Sequence, residues 1–185
     1  MLEIKEIETE RLSLRFVKND DSDSLFEIFG DKETCLNDGG YLPFLEKNEN
    51  FYNMISEMIL NKQHYAITLK SSGKVIGLIH FETIENNQFG YELGFSINKN
   101  FRQKGYMKEA LISTITKYFE QTKIEYFKAS HIKGNSSSEK TLKSAGFVFK
   151  KVHSKALKHA EIGDVDLIEY EKSRNGNNEG CPHCS

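Results

Sequence analysis

A chain of 185 residues with 38% hydrophobic and 28% charged content has the make-up of one soluble globular domain with a sizeable core. Its net charge of −2, with no dense basic run, argues against nucleic acid as the main partner. No stretch approaches the roughly 18 apolar residues of a membrane span, and the acidic start lacks a signal peptide's layout, so a cytoplasmic location is expected.

In chain order, Leu12, Leu14 and Phe16 alternate with Ser13 and Arg15 after the polar lead Glu8-Thr-Glu-Arg11, the period of a first strand. Asn19-Asp-Asp-Ser-Asp23 then offers N-caps for a helix carrying Leu25, Phe26, Ile28 and Phe29, which stops at Gly30. From Cys35 to Glu46 the pattern breaks down. Gly39-Gly40 and Pro43 mark a loop there, either a connector or a lid that shapes a substrate site. Phe51, Ile55, Met58 and Ile59 resume helical spacing towards Asn61. Three strands follow, Tyr65–Leu69, Val75–Thr83 and Phe89–Ile97, and the turns between them are short enough for antiparallel hairpins.

The next stretch, Asn100-Phe-Arg-Gln-Lys-Gly-Tyr-Met-Lys-Glu-Ala-Leu111, organises the rest. On its left, Tyr91, Leu93, Phe95 and Ile97 alternate with Glu92, Gly94 and Ser96. On its right, Met107, Leu111, Ile115, Tyr118 and Phe119 share one helix face. Arg102, Lys104 and Gly105 therefore sit where a helix leaves its first N–H groups unpaired, a place suited to phosphate or pyrophosphate. The bland alternative is an ordinary helix start with solvated basic side chains. After that helix ends near Gln121, the pattern gives a strand over Tyr126–Ile132, a helix over Ser136–Ala145 stopped by Gly146, and strands Phe147–Val152 and Val165–Tyr170. Residues 173–185 have almost nothing to bury and read as a flexible tail after a domain over 1–172.

The cysteines Cys35, Cys181 and Cys184 are too few for a disulfide framework, which agrees with a reducing compartment. Cys181-Pro-His-Cys184 supplies three soft ligands where tetrahedral zinc wants four, so no metal is expected. A zinc shared between two chains is the alternative. His80 and His131 fall in strand patterns, where histidines are more often paired core or surface residues than catalysts.

In this order the motifs resemble the GNAT acetyltransferase superfamily, and within it the ribosomal-protein N-terminal acetyltransferase-like (RimJ/RimL-type) branch. The carriers are Thr9-Glu-Arg-Leu-Ser-Leu-Arg15, Tyr91-Glu-Leu-Gly-Phe95, Arg102-Gln-Lys-Gly-Tyr-Met-Lys-Glu-Ala-Leu111, and Asn135-Ser-Ser-Ser138 continuing to Ala145-Gly-Phe147. The resemblance implies an α/β, three-layer acyl-CoA N-acyltransferase fold, with a mixed, mostly antiparallel sheet of about seven strands flanked by helices. It implies acetyl-CoA as cosubstrate, its pyrophosphate on Arg102, Gln103, Lys104, Gly105, Tyr106 and Met107. Its pantetheine arm would lie between splayed strands at Phe95, Ser96 and Ile97, with Asn135 on the cofactor and Ser138 near its sulfur. Met107 and Gln103 depart from the small residues and glycine frequent in this loop. Leu142 stands where many relatives carry a tyrosine acid, which moves that role to the Ser138 hydroxyl.

Acetyl transfer needs a neutral amine, a polarised thioester carbonyl and a stabilised thiolate. An N-terminal amine, with a pKa near 7.7–8.0, asks for roughly 3 kcal/mol less help than a lysine at about 10.4. Glu92 is the candidate base, since period 2 puts it with Gly94 and Ser96, and backbone N–H near Phe95 or Ser96 would polarise the carbonyl. Its ordinary reading is a surface glutamate, and that of Ser138 a helix-start serine bonded to backbone. The expectation is an N-acetyltransferase acting by direct attack on a primary amine, whether a protein N-terminus, a polyamine or an antibiotic-like amine. A silent CoA-binding sensor of the same fold is the other class, and a homodimer is left open.

Overall fold

The computed structural model describes residues 4–176. Eight strands form one sheet in the order β1-β2-β3-β4-β5-β6-β8-β7, spanning β1 Glu6–Glu8, β2 Leu12–Phe16, β3 His64–Leu69, β4 Val75–Ile84, β5 Asn87–Ile97, β6 Tyr126–Ile132, β7 Val148–His159 and β8 Gly163–Ser173. Every pairing is antiparallel except β5 with β6. The helices are α1 Ser22–Phe29, α2 Lys32–Gly39, α3 Glu49–Asn61, α4 Tyr106–Gln121 and α5 Ser136–Ser144.

Strand alternation divides the core into two layers. Tyr65, Ile67, Ile79, Phe81, Tyr91, Leu93 and Phe127 face α4 and α5, where Met107, Leu111, Ile115, Tyr118 and Leu142 meet them. Their strand neighbours Ala66 and Leu78 point the other way, against Leu25, Ile28 and Phe29 of α1 and Phe51, Ile55 and Met58 of α3. Leu111 and Phe51 are fully buried, so truncating either costs about 2–5 kcal/mol. α1 and α3 cover only the β3–β4 end of their face.

Three elements differ from the expectation. β1 is an eighth strand in what reads as polar lead, because only Ile7 of its three residues is buried. α2 replaces the first part of the expected loop, which begins only at Gly40: Lys32-Glu-Thr-Cys-Leu-Asn-Asp-Gly39 has no apolar stripe, yet its ends are capped. Asp31 accepts from Thr34 N at 3.0 Å, and Gly40 closes the helix at φ 68°. β7 and β8 extend beyond 147–152 and 165–170 as a hairpin whose β7 strand is mostly exposed, so burial imposes no alternation there. The expected tail lies largely outside the described residues, as do Cys181 and Cys184.

Candidate functional site

The two parallel strands part company. β5 and β6 pair only at Gly90 with Tyr126, Tyr91 with Phe127 and Glu92 with Lys128. From Leu93 onward β5 keeps its bonds to β4, while β6 beyond Lys128 pairs with β8. A gap opens between them, lined by Phe95, Ser96 and Ile97 on one side, Asn135, Ser138 and Thr141 on the other, and Arg102 and Met107 at its end. Along it the β5 edge has no strand partner, so its amides are available to an extended guest.

At the end of the gap, Asn98 caps a short turn by accepting from Asn100 N at 3.0 Å, and the chain enters α4 through two left-handed residues, Gln103 at φ 61° and Gly105 at φ 78°. A Cβ on Gly105 would meet only Arg11 Nη2, at 3.5 Å. Conformation, not crowding by the protein, calls for glycine there. Gln103 holds the same kind of conformation without that freedom, at a cost of about 1 kcal/mol. The N–H groups of Gly105, Tyr106, Met107 and Lys108 have no acceptor among the described residues, and they converge at the positive end of the helix.

This turn is braced from the far end of the sequence. Glu109 accepts from Thr9 Oγ1 at 2.6 Å, Arg11 N at 3.0 Å and Arg11 Nε at 2.6 Å. Burial works to raise the Glu109 pKa, but these donors outweigh it and hold the carboxylate below its ordinary range. Arg11 also donates to the Lys104 carbonyl at 3.0 Å and lies 4.6 Å from the centre of the Tyr106 ring. The sequence singles out Thr9 and Arg11 as part of a pattern; the structure shows what they hold.

α2 roofs the gap and occupies the donors expected to bind cofactor. Arg102 donates to Glu33 Oε1 at 2.8 Å and to Thr34 Oγ1 at 2.7 Å, and Asn135 Nδ2 donates to the Asn37 carbonyl at 2.9 Å. Asp38, which sequence reasoning missed, lines the gap beside Ser96. Burial raises its carboxyl to about 6 against the opposing pulls of Ser96 and Arg102. The β7–β8 hairpin holds both ends of α2, through Lys32 to Glu161 at 2.6 Å at its start and Ala160 N to the Gly40 carbonyl at 2.7 Å at its close. Caps at Asp31 and Gly39-Gly40 were the available signal for this helix.

Of the remaining expected residues, Asn135 caps α5, its Oδ1 accepting from Ser138 N at 3.1 Å. The Ser138 hydroxyl makes no hydrogen bond among the described residues and lines the gap, so the cap belongs to Asn135 and not to Ser138. Leu142 is fully buried in the core. Gln103, Lys104, Gly105 and Tyr106 form the turn but do not line the gap. Glu92 is exposed on the open sheet face opposite Glu82, at the last rung before the strands part. Burial, with Glu82 and Glu169 nearby, raises its pKa. Among the described residues no group of histidine, cysteine and carboxylates could hold a metal, and no helix is long and apolar enough to cross a membrane.

A family model described as an acetyltransferase (GNAT) domain matches residues 11–148. The chain is 28% identical over 146 residues to an uncharacterized N-acetyltransferase, p20, of Bacillus licheniformis, covering 75% of this chain and 80% of the relative. Its fold matches a crystal structure of a GNAT-family acetyltransferase from Bacillus anthracis with a TM-score of 0.83 at 20% identity, covering 92% of this chain and 99% of the other. It also matches RimL, a ribosomal L7/L12 alpha-N-protein acetyltransferase in complex with coenzyme A, with a TM-score of 0.81 at 18% identity, covering 91% and 98%.

Proposed function

This chain belongs to the GNAT acetyltransferase family, and from that premise we propose that it moves the acetyl group of acetyl-CoA directly onto a primary amine, a protein N-terminal α-amine being the acceptor that chemistry favours. An α-amine is about a tenth neutral at pH 7, a lysine less than one part in a thousand. The reading also places the protein in the cytoplasm, where acetyl-CoA is made and used.

One observation carries the site assignment: unpaired helix-start N–H groups from Gly105 to Lys108 stand at the end of a gap between two parting parallel strands. The first feature suits a pyrophosphate, with Arg102 adding charge. The second suits an extended arm bearing amides, which the free β5 edge from Leu93 to Ile97 would bond as a missing strand does. At the inner end, backbone N–H near Phe95 or Ser96 would polarise the thioester carbonyl, and the Ser138 hydroxyl would donate to the sulfur as the C–S bond breaks. For the cofactor to reach Arg102 and Asn135, α2 has to give up its bonds from Glu33, Thr34 and Asn37. Thiol release from acetyl-CoA across peptides, polyamines and aminoglycosides tests the reading. Release that no amine accelerates would leave only a binding module.

A further inference from the structure

Attack on a thioester by an amine needs a group to take the proton of the nitrogen as its C–N bond forms. That group has to reach the edge of β5 that faces the gap. One side chain on the open face of the sheet has crossed towards it. His80 stands on β4 opposite Gly94 of β5. A Cβ built on Gly94 would lie 2.2 Å from Cε1, 2.5 Å from Nε2 and 3.0 Å from Nδ1 of the His80 ring. The imidazole therefore lies over the backbone of β5, not over its own strand.

Gly94 is not among the residues with positive φ, so no backbone conformation demands glycine there. What demands it is the ring. The seat immediately precedes Phe95 and Ser96, which line the gap. Glu92, on the same face, lies two residues farther back, about 7 Å along the strand. The ring packs on His64 of β3, with centres 5.4 Å apart and planes 23° apart, while Nε2 faces Glu82 Oε1 at 3.7 Å. The side chain is still 38% exposed, which is not the setting of a core histidine.

We propose that His80, seated on Gly94, accepts the proton of the acceptor amine. The assignment rests on the acetyl-transfer reading above. The amine lone pair forms the C–N bond and the carbonyl π pair moves to oxygen. The nitrogen's proton passes to His80. The oxygen pair then re-forms the carbonyl as the C–S bond breaks, the thiolate leaving towards Ser138, and the imidazolium returns its proton to solvent.

The titratable groups against the ring are His64 from β3 and Glu82 from β4, with Glu92 of β5 paired across from Glu82 and Lys128 of β6 beyond Glu92. Burial outweighs the opposing effect of Glu82 and holds the His80 pKa below its ordinary value. Burial and His80 bring His64 to about 4. Both shifts favour the neutral ring, the form that accepts a proton.

The test uses the full chain, acetyl-CoA and a short peptide with a free α-amine, together with NMR titration of the imidazoles. His80→Gln should lower turnover about 100-fold, leave acetyl-CoA affinity unchanged, and remove the second, steeper fall of the pH–rate profile at low pH, leaving only the limb set by the amine's own titration. Gly94→Ala should evict the ring, cost as much turnover, and move the His80 titration up towards that of an ordinary histidine. In a His80→Ala background, Gly94→Ala should cost nothing further in turnover or thermal stability. Turnover of His80→Gln within threefold of the parent would overturn the assignment, as would loss of that steeper fall in Glu92→Gln but not in His80→Gln. Additive losses from Gly94→Ala and His80→Ala would do so too. A parent that no amine accelerates would sink the acetyl-transfer reading and this assignment together, whereas an active parent with an unaffected His80→Gln sinks this one alone.

Discussion

Removing the Ser138 hydroxyl separates catalysis from architecture, because the structure divides the two roles between neighbours. The Asn135 side chain accepts from Ser138 N at 3.1 Å and so caps α5, while the Ser138 hydroxyl faces the gap without a described partner. Ser138→Ala therefore removes no native hydrogen bond, and its stability should stay within about 0.5 kcal/mol of the parent. If the hydroxyl donates to the thiolate as it leaves, one hydrogen bond to a charged group is lost in the transition state, about 1.5–3 kcal/mol. That is roughly a 10- to 100-fold fall in turnover. Asn135→Ala perturbs the helix instead. It removes the cap, about 1 kcal/mol, and should lower the melting temperature by about 2–4 °C in a domain of this size. Both variants are measured on one preparation, by thermal melt and by thiol release under saturating acetyl-CoA. A Ser138→Ala enzyme with parental turnover would refute the role given to the hydroxyl, and one that melts several degrees lower would refute the division of labour.

Gly105→Val forces a β-branched residue to φ 78°, so acetyl-CoA binding measured by calorimetry should fall at least tenfold; parental affinity would remove the turn from the site. Glu33→Ala frees Arg102 from an exposed ion pair worth about 0.2–1 kcal/mol, and acetyl-CoA should bind up to about fivefold tighter; weaker binding would mean that α2 helps the cofactor. Asp38 has its pKa raised to about 6 from an ordinary 3.8, so the folded state holds the extra proton and this group withdraws stability as pH rises from about 4 to about 6. Asp38→Asn should accordingly melt higher than the parent at pH 7 and by a smaller margin at pH 4, and an equal margin at both would show that the carboxyl is not desolvated.

Much of the candidate site's geometry is legible in the sequence because its parts are local. Glycine before a periodic helix fixes the α4 start, and the alternation around Tyr91 and Leu93 fixes the faces of β5. α2 escaped because eight residues that bury only Thr34 and Cys35 carry no period, and their caps read equally well as loop residues. Asp38 went with it. His80 escaped for a different reason: a histidine in a strand is unremarkable until the glycine opposite it is seen to make room for the ring, and cross-strand register is invisible to a linear pattern. Leu142 and Ser138 were readable as a pair, but that Asn135 and not Ser138 does the capping needed coordinates.

The brace between Thr9, Arg11 and Glu109 means that the turn at the start of α4 is not a portable fragment. A peptide covering residues 98–121 would contain the turn and the whole of α4, yet nothing in it would hold Glu109 or the Lys104 carbonyl, whose partners lie 93 to 100 positions earlier. Closing so long a loop is costly in chain entropy, and the tertiary fold meets that cost once for the whole domain. During synthesis, then, the turn before α4 should acquire its shape only after α4 has docked against β1 and β2, so a nascent chain halted before Glu109 has left the ribosome would have its first strands but no formed turn.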